Sequence, residues 1–330
     1  MRFAIVFRVL GLLLMLFSMT LIPPMLVSLI YDDSALFAFV VSFVIILLFG
    51  TAVWAPVHNN KQDLRTRDGF IVTALFWAVL GAAGALPFIL AESTSLSVVD
   101  AVFESLSGLT TTGATVITGL DALPHSLLFY RQQLQWLGGI GIVVIAVAIL
   151  PMLGIGGMQL YRAETPGPVK DSKLTPRITQ TAKALFFIYL GLTVICGVSY
   201  WLAGMSAFDA IGHAFSTVAI GGFSTHDTSM AFFDSPTILV IAMVFMILSG
   251  MNFALHFVAW RSLSIKHYLL GHEVKFSLSW LIIAALITLD YLYFTSANVF
   301  TVYMIMFSFL FIIEARLIFI HLLLFSKVFT

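Results

Sequence analysis

Ser97-Val-Val-Asp100-Ala-Val-Phe-Glu104-Ser-Leu106-Ser107-Gly-Leu109-Thr110-Thr111-Thr112-Gly113 is answered, 109 residues further on, by Ser206-Ala-Phe-Asp209-Ala-Ile-Gly-His213-Ala-Phe-Ser216-Thr-Val218-Ala219-Ile220-Gly221-Gly222. Ser97, Asp100, Ala101, Ser107 and Gly113 have identical residues at that offset, and Val102 with Ile211, Leu106 with Phe215 and Thr115 with Ser224 are conservative pairs. Ser-x-x-Asp is a helix start, because the hydroxyl takes an orphan backbone N–H while the carboxylate complements the positive helix end. Each stretch therefore predicts a short helix of about ten residues that stops at Leu109 or Val218 and gives way to a glycine-containing turn.

The chain around these stretches is apolar. Of 330 residues only 32 are charged, 16 of each sign, where an average soluble domain of this length carries roughly 82. Mean hydropathy is +1.05. The surface a water-soluble enzyme needs is missing, and a net charge of zero gives no basic excess for nucleic acid. A single cysteine, Cys196, excludes a disulfide framework or thiolate cluster. A bilayer is the solvent that fits.

Apolar runs long enough to span it, about 20 residues, fall near 5–31, 35–57, 70–91, 128–153, 182–204, 236–260, 276–298 and 300–325. The first, with Arg2 and Arg8 ahead of it, lacks a small-residue cleavage pattern and is expected to be a retained helix. Cations gather in one set of loops (Lys61, Arg65, Arg67; Arg162, Lys170, Lys173, Arg177, Lys183; Arg261, Lys266, Lys275). The alternate loops carry Asp32, Asp33, Glu92, Asp100, Glu104, Asp121, Asp209, Asp227 and Asp234, with Arg131 as their one cation. Lys and Arg remain on the cytoplasmic side, so the N-terminus is expected inside and the acidic rim outside, where it would concentrate cations.

The loops 92–127 and 205–235 are too long and too apolar to lie in water, and are expected to re-enter the membrane. Together with Gly141 and Gly250, which also match at the offset, they define a unit of helix, re-entrant loop and helix over 70–153 and again over 179–260. Parallel copies of this kind sit around an axis along the membrane normal. The fold class is an all-α polytopic membrane protein: an N-terminal helix pair (1–69), a first helix–pore-loop–helix repeat with a cytoplasmic connector (70–178), a second repeat (179–271), and a partial third repeat with a divergent apolar tail (272–330). Exposed backbone at membrane depth is tolerated only where it lines a water-filled cavity, and its carbonyls can replace the hydration shell of an alkali ion. Glycine permits φ > 0, which turns successive carbonyls toward one axis. The side chains matter less than this path, so Thr-Thr-Thr and Ala-Ile-Gly can do the same work.

Leu106-Ser-Gly-Leu-Thr-Thr-Thr-Gly-Ala114, Gln135-Trp-Leu-Gly-Gly-Ile-Gly-Ile142, Gly157-Met-Gln-Leu-Tyr-Arg-Ala-Glu164 and Ala219-Ile-Gly-Gly-Phe-Ser-Thr-His-Asp227 resemble the TrkH-type potassium uptake proteins of the Trk/Ktr/HKT superfamily. That resemblance covers roughly residues 1–298 and implies four helix–pore-loop–helix units around one potassium pathway in the inner membrane, in a homodimer that docks on a cytosolic, TrkA-type nucleotide-binding subunit. It puts Thr110, Thr111, Thr112 and Gly113 on the first filter segment and Ala219, Ile220, Gly221 and Gly222 on the second, with potassium as the transported ion and no cofactor. Every glycine lies at or before Gly271, so residues 272–330 cannot supply a third such segment. The chain reads as a truncated or frame-disrupted product, and the expectation is that a single copy does not conduct.

Other residues invite other readings. His213, His226 and Asp227 match no metal spacing and read as helix-packing or outer-mouth groups; His267 and His272 read as solvated. Gly138, Gly139 and Gly141 have no strand before them and suit close helix packing rather than a nucleotide loop. Asp290 and Glu314 are intramembrane carboxylates with bland explanations, an interfacial position for the first and Arg316 as a partner for the second. Gly154 to Lys183 reads as an interfacial connector, and it or 261–275 is a candidate surface for a regulatory partner. No nucleophile, base and metal cluster converge, so an enzyme is not expected.

Overall fold

The computed structural model describes residues 3–59, 66–149, 178–251 and 253–262, with residues 264, 279 and 283 besides. Among these every regular element is helical: α1 (Phe3–Met19), α2 (Ile22–Tyr31), α3 (Leu36–Trp54), α4 (Thr66–Ala83), α5 (Leu86–Leu90), α6 (Val98–Leu109), α7 (His125–Ile149), α8 (Ile178–Leu202), α9 (Ala207–Val218), α10 (Pro236–Gly250) and α11 (Phe253–Ser262), with short 3₁₀ turns between some of them. The span predicted at 276–298, apart from residues 279 and 283, and the span at 300–325, the connector 154–177, the segment 265–275, Asp290 and Glu314 lie outside the described residues.

The first predicted span is two helices, since the chain turns at Thr20 and Leu21 and α2 restarts with Pro23 and Pro24 in its first turn, where the missing proline N–H costs nothing. Among the described residues three helical stretches are long and apolar enough to cross a bilayer: Phe3–Tyr31, Leu36–Val57 and Lys183–Leu202. Their outer faces carry Phe37, Leu48, Trp201 and Leu202, all exposed, as suits helices whose solvent is hydrocarbon. The N-terminal helix pair is tied to the first repeat. Asp33, in the turn after α2, accepts hydrogen bonds from the Ser126 N–H (2.9 Å) and hydroxyl (3.0 Å) at the start of α7, from the Ala35 N–H (3.1 Å) and from the Ser28 hydroxyl. Burial alone would raise its pKa, but these donors outweigh burial and hold the carboxyl below its ordinary value.

The repeat is structural as well as sequential. Both short helices, α6 and α9, have 12 residues, each packed against the helix before it and against α7. The helix after each loop is broken at the same register: α7 departs from helical geometry at Gly141 (φ 65°, ψ 176°), and α10 ends at Gly250, beyond which Met251 is extended (φ −75°, ψ 151°). Two apolar cores result. One holds Ala101 and Leu109 of α6 with α1–α5 and α7; the other holds Ala210, Ala214 and Val218 of α9 with α8 and α10.

Candidate functional site

Ser97 and Ser206 cap their helices as the sequence predicts. Each side chain accepts from the backbone N–H three residues on (3.2 and 3.0 Å) and donates its own proton to Asp100 or Asp209 (2.7 Å in both). The other ends also match. Thr112 N–H bonds Ser107 C=O (2.9 Å) and Thr111 N–H bonds Gly108 C=O (3.0 Å); Gly221 N–H bonds Ser216 C=O (2.8 Å) and Ile220 N–H bonds Thr217 C=O (3.1 Å). This is the Schellman pattern, which closes a helix through one left-handed residue.

The left-handed residue is Thr111 in one copy (φ 55°) and Ile220 in the other (φ 54°), both β-branched and both unsuited to that region. Two residues later come Gly113 (φ 75°) and Gly222 (φ 84°). The sequence predicts positive φ at the glycines and the structure agrees, but the alternation starts one step earlier, on residues whose type argues against it. Alternating hand keeps successive carbonyls on one side of the chain, where a strand would send them to opposite sides. Strain of this kind persists only where the surroundings impose it, and it gathers at functional sites. Thr111→Gly, which gives up only a small side chain, should therefore raise thermal stability in detergent by about 0.5–1 kcal/mol once glycine's own entropy cost is set against the relief. An unchanged or lowered Tm would show the turn to be unstrained.

The sequence-predicted residues thus form two equivalent turns, Thr110–Gly113 and Ala219–Gly222. The first is more open: Thr110 and Thr112 are exposed and tie to each other through their hydroxyls (2.8 Å). The second is more enclosed, with Ala219 and Gly221 buried. Behind it lies a cavity of about 20 Å³ lined by His213, Ser216, Ile220 and Phe223 among others, enough for one water molecule.

The two turns are joined by an ion pair that the sequence pattern does not reveal. The charge pattern places Glu104 and Arg131 among the outer-loop charges, yet both side chains are wholly buried and meet at 2.8 Å. Glu104 also accepts from the Thr115 hydroxyl (2.9 and 3.0 Å) and the Val116 N–H (3.0 Å). Arg131 Nη2 donates to Thr115 Oγ1 (2.9 Å), its Nη1 to the Ser224 carbonyl (3.2 Å), and its guanidinium lies 4.4 Å from the Phe223 ring centre. Thr115 and Ser224 are equivalent residues, each two past its glycine, so one guanidinium holds the same point of both turns. The pair has no local signal in the sequence, because Arg131 stands in the polar run Arg131-Gln132-Gln133 near the start of α7, as a surface residue would.

At the Glu104 register the second copy has His213. Its Nδ1 faces the Asp209 carbonyl (2.9 Å), which can only accept, so Nδ1 carries the proton and Nε2 takes the Ser224 hydroxyl (2.9 Å). A neutral imidazole–hydroxyl link thus replaces the carboxylate–hydroxyl link of the first copy. Past the second turn His226 faces Asp121 and, at 3.4 Å, Asp209, while Asp227 accepts the Gly119 and Leu120 N–H groups (3.0 Å each). Burial would raise the Asp209 pKa, but hydrogen bonds from Ser206 and Thr225 hold it below its ordinary value. His226 and Asp227 thus tie the second loop to the first, while His213 ties its helix to Ser224 within its own loop; among the described residues no group of three or more metal-ligating side chains forms.

Described residues whose regular elements are all helical, in a strongly apolar chain, with two short capped helices ending in matched strained turns, define a polytopic membrane protein built from pore-loop repeats. The family model for TrkH, described as a cation transport protein, matches residues 35–328, and the chain belongs to that family. The match runs past residue 298, where the resemblance is expected to fade. The chain is similar to the Trk system potassium uptake protein TrkH of Halomonas elongata, 57% identical over 90% of this chain and 61% of that one. The protein so named in Vibrio parahaemolyticus is 60% identical over 79% of this chain and 54% of its own. The crystal structure of the potassium transporter TrkH from Vibrio parahaemolyticus superposes with a TM-score of 0.80 at 49% identity, covering 95% of this chain and 64% of that one. This chain thus spans between half and two thirds of the length of these relatives.

Proposed function

We propose that this chain is the membrane-spanning part of a potassium uptake system, and that the backbone carbonyls of Thr110–Gly113 and Ala219–Gly222 line its ion path. The observation that carries the reading is the recurrence, 109 residues apart, of one unusual backbone: positive φ at Thr111 and Ile220, and again at Gly113 and Gly222. Capped pore helices whose negative ends face those turns favour a cation there, and carbonyl rings of this kind strip and replace a hydration shell. The names of the relatives support potassium as the ion. The units are 1–69, 70–178, 179–271 and 272–330, the N-terminus is cytoplasmic in the inner membrane, and the assembly is a homodimer on a TrkA-type nucleotide-binding subunit. The role is transport rather than catalysis.

The test is growth of a potassium-uptake-deficient bacterium at low external potassium, with the chain carried in a full-length background that completes the remaining filter segments. Gly113→Ser and Gly222→Ser put a side chain where φ is 75° and 84°, and each should reduce potassium-over-sodium selectivity. Selectivity untouched by both would remove these turns from the ion path.

A further inference from the structure

Two side chains of α7, one helical turn apart on one face, reach out of the first repeat into the second. Arg131 is one; Gln135 is the other. Gln135 is wholly buried, and its Oε1 accepts from the Ser216 hydroxyl (2.7 Å) and from the Phe223 N–H (3.0 Å). Ser216 lies in the last turn of α9 and Phe223 directly follows Gly222, so a single oxygen ties both ends of Ala219–Gly222. The amide also occupies the space beside the turn: a Cβ on Gly221 would lie 2.7 Å from Gln135 Nε2 and closer still to its Cδ. Among the described residues the first turn has no such brace, because Ser107, the counterpart of Ser216, gives its proton to the Ala114 carbonyl within its own loop (2.5 Å). At the Gln135 register the second repeat has Val244, exposed and without a polar side-chain atom. Gln135 Nε2 is buried with no hydrogen-bond partner among the described residues, so the oxygen is the half of the amide that is used.

We infer that Gln135 is a positioning residue for the second filter segment, fixing the spacing of its carbonyls from the neighbouring repeat and so setting the discrimination between potassium and sodium. It does not touch the ion. A segment pinned at both ends cannot contract around a smaller cation, whereas one pinned only by its own helix can. The inference rests on the proposal that Ala219–Gly222 lines the path.

The experiment compares Gln135→Met, Gln135→Glu and Gly222→Ser in the full-length background, measuring potassium and sodium uptake in the same cells and Tm of the purified proteins. Gln135→Met keeps length and volume but leaves the Ser216 hydroxyl and Phe223 N–H without an acceptor, and the potassium-over-sodium ratio should fall roughly tenfold. Gln135→Glu, which burial without a cation partner holds in its neutral acid form, keeps an accepting carbonyl oxygen in place and exchanges an unpartnered N–H for an unpartnered O–H, and should restore the ratio to within about twofold of the parent. A residue needed merely for packing would lower uptake of both ions together and leave their ratio alone. If Gly222→Ser loses selectivity and Gln135→Met does not, the inference fails while the filter assignment stands; if neither loses it, both fall. Should Gln135→Met not reach the membrane, Gln135→Glu decides, since a ratio changed as much as by Gly222→Ser would equally overturn the acceptor role.

Discussion

Arg131→Met should lower stability by about 3–5 kcal/mol, because it strands the Glu104 carboxylate in the core with its charge unanswered. Both side chains are wholly buried and 2.8 Å apart, so neither water nor salt screens the loss. Glu104→Gln should cost a similar amount by stranding the guanidinium, but its functional effect should differ. It leaves a fixed positive charge bonded to the Ser224 carbonyl and beside Thr115, two residues past each glycine, where it would repel a cation. Removing both charges in Glu104→Gln with Arg131→Met should cost less than the sum of the single variants, since no buried charge is then unpaired. Thermal unfolding of the four proteins in detergent closes the cycle, and additive losses would mean that the two groups do not act as a pair.

The contrast between these residues and the capped helices shows what kind of information the sequence carries. Ser97, Asp100, Ser206 and Asp209 are legible because capping is local: the partner is three residues away and the chemistry is the same in every protein. The repeat is legible because it is periodic. Glu104 and Arg131 are not, since a charge pattern assigns each residue to a loop and has no way to bring together groups 27 residues apart. Thr111 and Ile220 are hidden for another reason. Residue preference points to glycine for a left-handed turn, and only the packed surroundings, with Gln135 and Arg131 holding the far ends, override that preference. His213 stands between these cases, because the 109-residue offset extended to Glu104 singles it out.

Gly138→Ala, a change of one methyl group, should abolish function, whereas Gly191→Ala should be silent. A Cβ on Gly138 would overlap the Leu109 carbonyl oxygen and lie 2.7 Å from its carbon. Both are backbone atoms at the end of α6, one residue before Thr110, so no rotamer can relieve the overlap. Either α7 withdraws, drawing Arg131 and Gln135 off the two turns they hold, or α6 shifts and moves the first turn. Overpacking alone costs about 1–3 kcal/mol, and displacement of both braces adds to it. The sequence suggests that Gly138 and Gly139 serve close packing; the structure gives the reason, which is that the helix carrying the braces must touch the backbone it positions. Gly191 lies within α8 with nothing within 4 Å of a Cβ, and alanine there should be neutral or stabilising by up to about 1 kcal/mol. The two variants add the same atom to helical glycines of one protein, so membrane expression, Tm and growth at low potassium can be compared directly. Equal behaviour of the pair would refute the close contact of α7 with the end of the first pore helix.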